Sequence, residues 1–173
     1  MNKTQTHSVP LYHLGYNELK TYLVAFAFIA GNILFPQLCH LIPQGGLILL
    51  PIYFFTLVGA YKYGLTVGLL TAVGSPLVNH LLFGMPPAAM LPIILTKSIL
   101  LAVAAALVAR KAGKVTLPAI ALVVVIYQGM GMMAEWAMTG SLQAALQDVW
   151  LGYPGLLLQI VGGFLLLKYV LKK

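Results

Sequence analysis

The sequence predicts an all-α integral membrane protein with six transmembrane helices and both termini cytoplasmic. Three observations carry that prediction. Apolar residue types make up 61% of the 173 residues and charged types only 8%, where a soluble domain carries roughly 45–50% and about 25%. Six apolar stretches approach the roughly 20 residues that a spanning helix needs. Basic residues collect in alternate breaks between those stretches, which is a topology signal. A globule this small has too much surface to hide such an apolar excess. A soluble enzyme, a disordered chain and a nucleic-acid-binding domain are therefore poor fits, despite a net charge of +7. A single cysteine, Cys39, excludes an internal disulfide framework.

Residues 1–18 read as a short cytoplasmic arm, with a surface helix leading into the first span. They hold His7, Pro10, His13 and Glu18 and lack the compact apolar core of a cleavable signal peptide. The spans fall at 19–38, 46–61, 63–83, 89–109, 116–138 and 151–170. The second is short and contains Pro51, so its ends are the least defined. The breaks carry turn residues: Pro43-Gln44-Gly45-Gly46, Gly84-Met85-Pro86-Pro87, Arg110 to Lys114, and Gly140-Ser141. Thr116-Leu117-Pro118 fits a helix start, with Thr as cap and Pro in the first turn.

Charge then sets the orientation. Lys3 and Lys20 precede the first span, and Lys62 separates the second from the third. Arg110, Lys111 and Lys114 separate the fourth from the fifth, and Lys168, Lys172 and Lys173 close the chain. If six spans alternate, all nine of these bases lie on one side, and the opposite loops hold no Lys or Arg. Bases are retained on the cytoplasmic side.

The tenth base, Lys97, lies inside a span, ~12 Å from its outer end at ~1.5 Å per residue. An intramembrane charge is costly and faces protein or a watery cavity. Glu135, Asn79, His80, Gln159 and Gln128 also fall in or near the outer halves of their spans, whereas the inner halves are aliphatic, small or aromatic. Gln128, Gly131, Met132 and Glu135 share one helix face. Gly64, Gly68, Thr71, Ser75 and Asn79 form a small, polar stripe on the third span, and Gly152, Gly155, Gln159 and Gly162 form another on the sixth. Such stripes allow close helix approach and place hydrogen-bonding groups inside a bundle. For Lys97 and Glu135, a ligand pocket and a buried structural ion pair both stay open.

This distribution predicts a pocket open to the outside and closed below. An ion channel needs a polar path through the whole bilayer, and a self-sufficient transporter usually shows paired repeats with broken helices. Neither pattern is visible, so the chain reads as a binding unit that needs a partner to move its cargo. No metal site is expected, because Cys39, His40 and His80 lack ligand spacing, and His7 and His13 read as tail residues. An intramembrane enzyme, with His80 and Glu135 as its acid–base couple, and a membrane assembly scaffold are the alternatives.

One stretch is more specific. Residues 45–97 contain Gly-Gly-Leu-Ile-Leu-Leu-Pro-Ile-Tyr, then Lys62-Tyr63-Gly64-Leu65-Thr66-Val67-Gly68-Leu69-Leu70, Ser75-Pro76-Leu77 and Leu82-Phe83-Gly84-Met85-Pro86-Pro87. With six spans in a chain of this length, this resembles the substrate-binding S component of energy-coupling factor (ECF) transporters. The resemblance implies capture of a vitamin or related micronutrient in an outward-facing pocket of a bacterial or archaeal cytoplasmic membrane. It implies as partners a transmembrane coupling subunit and two ATPase subunits, with no catalysis and no cofactor in the chain itself. In keeping with that, no phosphate-cradling Gly-rich loop is present.

The family meets its coupling subunit through small residues of the first span, here Ala27, Ala30 and Gly31, in place of a strict alanine pair. Bulky residues at Ala27 or Gly31 are therefore expected to block transport and spare binding. Family pockets use the outer parts of spans four to six, which implies Lys97, Gln128, Glu135, Tyr153 and Gln159 as ligand contacts, with Asn79, His80 and Trp136 adjacent. Histidine and acidic residues of the subgroup stand near the positions held here by Tyr53 and Lys97. A lysine favours an anionic group such as a carboxylate, so an acid such as pantothenate suits the site. Lys97→Ala is expected to weaken binding without unfolding the bundle.

Overall fold

The computed structural model describes residues 9–171, which are helical and contain no strand. In chain order these are α1 (Leu19–Cys39), α2 (Gly45–Leu49), a 3₁₀ turn (Pro51–Tyr53), α3 (Phe54–Tyr63), α4 (Leu65–Phe83), α5 (Leu91–Ala112), α6 (Leu117–Thr139), α7 (Leu142–Trp150) and α8 (Tyr153–Val170). Among them α1, α4, α5, α6 and α8 are long and apolar enough to cross a membrane, which makes five candidate spans. The composition and these helices support a multi-pass membrane protein. The ends of all five lie within a few residues of the sequence expectation.

The second predicted span is not one continuous helix. It breaks at Leu50, whose φ of 46° is left-handed, as is Gln44 before α2 with φ 58°. Pro51 explains the break: proline supplies no N–H and pushes the preceding residue out of the helical region. A bulky residue at positive φ is rare; here burial of Leu50 holds it in place. Even so, the segment 45–63 runs back along α1. Gly31 faces the Phe55 ring and Gly59 faces that of Phe28, while Phe28 and Tyr63 have ring centroids 5.8 Å apart. The chain then reverses at Gly64, whose φ of 93° suits glycine.

The predicted surface helix before α1 is absent from residues 9–18. Instead residues 9–15 carry no regular structure and a turn follows at 16–17, and Tyr12 N–H and Leu14 N–H donate to the carbonyls of Lys62 (2.7 Å) and Tyr63 (3.1 Å). Tyr12 and Tyr63 stack at 5.7 Å. Two more contacts gather the chain at this end. Tyr61 donates its hydroxyl to the Lys114 carbonyl (2.9 Å), and Lys62 Nζ donates to the Leu171 carbonyl. Lys62 is therefore a buried residue in the last turn of α3, not a loop cation. Lys20, Arg110, Lys111, Lys114 and Lys168 belong to this same end. Lys3, His7, Lys172 and Lys173 lie outside the described residues.

The small and polar stripe of α4 points inward: Gly64, Gly68, Thr71, Ser75 and Asn79 are all buried. It meets an asparagine that the sequence reading passed over. Asn32 of α1 donates to Thr56 Oγ1 and Ser75 Oγ, both at 3.1 Å. Its Oδ1 accepts the Phe55 N–H at 3.1 Å, satisfying a donor near the start of α3 that has few helical partners. Three helices are thus pinned through one fully buried amide. On α8 the buried positions are Gly155, Gln159, Gly163 and Leu167, following a buried Gly152 at its N-cap. Gly163 takes the inward place expected of Gly162, because π turns at Leu158–Gly162 and Leu166–Val170 widen the helix.

A candidate functional site at the buried charge cluster

Lys97 lies near the start of α5, ~9 Å along the axis from Leu91 at ~1.5 Å per residue. Its ammonium meets two carboxylates: Glu135 of α6, and Asp148 of α7, the latter at 2.8 Å. The lysine and glutamate side chains are 3% and 6% exposed, and Asp148 is 15% exposed. Gly131, one turn before Glu135, makes room for the lysine: a Cβ there would stand 2.9 Å from Lys97 Cγ. One cation among two anions leaves one negative charge in excess, so Lys97 holds the cluster together.

Asp148 is the partner that spacing did not reveal. It rides on α7, a short helix in the connection between α6 and α8. Ser141 caps α7 by accepting the Ala144 N–H at 3.2 Å, and Ala145 is buried beneath it. A capping serine after the Gly140 stop was the available signal. The scarcity of acids was another, since the whole chain has three and a lone intramembrane lysine must find one.

Around the ions lie further buried polar groups. Tyr53 and Tyr127 have ring centroids 5.9 Å apart, and Tyr127 donates to Gln159 Oε1 at 2.8 Å. Gln159 Nε2, both polar atoms of the Gln128 amide and Ser98 Oγ are buried with no hydrogen-bond partner among the described residues. Each such group costs roughly 1–3 kcal/mol when left unpaired. Ser98 follows Lys97 directly, and Gln128 shares the Glu135 face of α6, as predicted.

The structure therefore brings Lys97 and Glu135 together, and it buries Gln128 on α6 and Gln159 on α8, the latter against Tyr127. It does not bring in Trp136 and Tyr153, which are 53% and 59% exposed. Asn79 joins the Asn32 network instead, donating to Asn32 O at 2.9 Å and Ser75 O at 3.1 Å. His80 is half-buried, with Nδ1 2.7 Å from the Pro86 carbonyl. Of the candidate docking residues, Ala27 is exposed and Ala30 half-buried, while Gly31 packs inward against Phe55. No group of three or more His, Cys, Asp or Glu with metal-binding geometry occurs among the described residues.

No family model matches the chain, and no curated protein or solved structure does either. The functional reading accordingly rests on the residues themselves.

Proposed function

We propose that the chain is the substrate-capture component of an ECF-type transporter, binding a carboxylate-bearing vitamin or similar micronutrient. One observation carries the reading: a buried lysine of α5 shares two carboxylates from α6 and α7, in a bundle whose helices α5, α6 and α8 also bury serine and glutamine groups that lack partners among the described residues. In this proposal six crossings place both termini in the cytoplasm of a bacterial or archaeal cell, with the segment 45–63 as the broken sixth. The crowd of bases at the opposite end supports that orientation. The ligand carboxylate takes the place of Asp148 on Lys97, α7 lifts as the lid, and the orphaned amides bind the rest of the molecule. Uptake is driven by a coupling subunit and two ATPase subunits, and the chain itself catalyses nothing.

Gentle purification followed by mass spectrometry tests this. We expect a small carboxylic acid to be retained in roughly stoichiometric amount. Asp148→Asn should bind it about tenfold more tightly, roughly 1.4 kcal/mol, because the competing carboxylate is gone. A protein that retains no small acid, or that turns one over without ATPase partners, refutes the proposal.

The docking face is tested separately. Ala27 sits on the outward side of α1 with Leu23, Phe26 and Leu34. Ala27→Trp should reduce uptake by more than about tenfold with unchanged ligand affinity, since small residues set how closely a partner helix approaches. Gly31→Trp instead strikes the Phe55 ring, which lies 2.9 Å from its Cβ position, and is expected to destabilise the bundle. Equal uptake by Ala27→Trp removes α1 as the docking helix.

A further inference from the structure

We infer a second binding site, for an uncharged and largely apolar small molecule with one hydroxyl or N–H donor, in a cleft at the junction of α1, α2 and the 84–90 loop. The cleft holds about 430 Å³, within the roughly 300–1,000 Å³ of small-molecule pockets. None of Lys97, Glu135 and Asp148 lines it, so it stands apart from the charge cluster and does not depend on the transport proposal.

The walls specify the ligand. Pro36, Pro51, Ile52, Pro86, Met90 and Ile94 supply an apolar lining, with Gln37, His40 and Gln44 as polar side chains among them, and no Asp, Glu, Lys or Arg is among the described residues around it. A charged ligand would find no carboxylate, ammonium or guanidinium there to offset its desolvation. Asn79 also lines the cleft. Its amide nitrogen is committed to the carbonyls of Asn32 and Ser75, which fixes the direction of the side chain. Its Oδ1 is left as a buried acceptor with no donor among the described residues. A ligand hydroxyl or N–H completes it, and a lipid acyl chain cannot.

The cleft is also preformed. Proline φ angles are fixed, and His80 Nδ1 lies 2.7 Å from the Pro86 carbonyl, tying the 84–90 loop to α4. On the opposite wall, α2 is bracketed by the two left-handed residues Gln44 and Leu50. Strained backbone of this kind survives where the surroundings over-determine it and gathers at ligand sites. Its persistence in one wall is independent of the orphaned acceptor in another.

The test compares 1-naphthol with naphthalene, which has the same ring system but no donor. Equilibrium dialysis is run against the full-length protein in nanodiscs, with empty nanodiscs subtracted. Saturable 1-naphthol binding is expected, at least about tenfold tighter than naphthalene. Met90→Trp, which fills the cleft without removing any asparagine hydrogen bond, should abolish it, and Asn79→Leu should equalise the two compounds. If Asn79→Leu fails to fold, the wild-type comparison and Met90→Trp decide alone. Equal affinity for both compounds in the wild type, or unchanged 1-naphthol binding by Met90→Trp, overturns the inference. The first result would mark the cleft as a resting place for lipid chains.

Discussion

Lys97→Met is expected to destabilise the protein by about 3 kcal/mol or more, the penalty for stripping one partner from a buried ion cluster. In a chain of this size that corresponds to a fall of about 6–12 °C in melting temperature. The reason is the arithmetic of the cluster. Without the lysine, Glu135 and Asp148 are left with no cation between them, an uncompensated pair of buried carboxylates. Asp148→Asn leaves the Lys97–Glu135 pair balanced, and Glu135→Gln leaves Lys97–Asp148, so both should cost much less. Thermal melts of the three variants in one detergent check the order. Equal melting temperatures would show that the ions do not hold α5, α6 and α7 together.

This expected outcome departs from the expectation drawn from sequence, that Lys97→Ala weakens binding without unfolding the bundle, because the lysine meets two carboxylates on other helices. A lysine with two cross-helix carboxylates is a structural clasp and, in the proposed function, also a ligand contact, so removing it alone confuses the two roles. A triple variant separates them. Lys97→Met with Glu135→Leu and Asp148→Leu removes every charge, and apolar replacement of a buried ion cluster is often neutral or stabilising. That variant should melt near the wild type and fail to retain a carboxylate ligand. Restored stability together with restored binding would assign the cluster to packing alone.

How much of this was legible in the sequence differs from element to element. The five long helices were legible as apolar runs, and α4, α5, α6 and α8 also carry a glycine, proline or capping residue at a limit, as in Thr116 before α6 and Gly140 after it; α1, between Glu18 and His40, was legible from its apolar run alone. The broken segment 45–63 was half legible: Pro51 flagged the break, but periodicity does not reveal that Leu50 turns left-handed. The α7 helix was hidden because its nine residues are too few for an apolar run and resemble a polar loop. At the site, Lys97 and Glu135 were legible as charges where charges are expensive. Their contact with Asp148 was not, because it depends on how α7 folds back over the bundle, which no spacing rule encodes. Asn32 was missed although the same reasoning applied to it: a lone asparagine amid Ile29, Ala30, Gly31 and Ile33 must find partners inside.

Gly68→Leu is expected to abolish the folded bundle. A Cβ at Gly68 would stand 2.5 Å from Ala60 Cβ, 3.0 Å from Ala60 Cα and 3.3 Å from Ala102 Cβ. Three helices, α3, α4 and α5, therefore touch at a point where each offers a minimal side chain. Lipid is as apolar as leucine, so burial gives these helices no reason to associate; close packing and buried hydrogen bonds must do so. Even Gly68→Ala forces α3 or α5 outward, a strain of about 1–3 kcal/mol. Leucine has no rotamer that avoids both neighbours, and the Ala60 backbone cannot yield as a flexible side chain would. Val73→Leu, on the exposed side of the same helix, is the matched control and should behave like the wild type. Size-exclusion profile and protease resistance in detergent read the outcome. The effect reaches the charge cluster, because α5 carries Lys97 one and a half turns before Ala102. If Gly68→Ala folds, it should still displace Lys97 from Glu135 and Asp148 and weaken ligand retention, although Gly68 touches neither acid. A Gly68→Ala protein that melts lower yet retains ligand at full affinity would mean that α5 pivots about Ala102 and leaves its outer end in place.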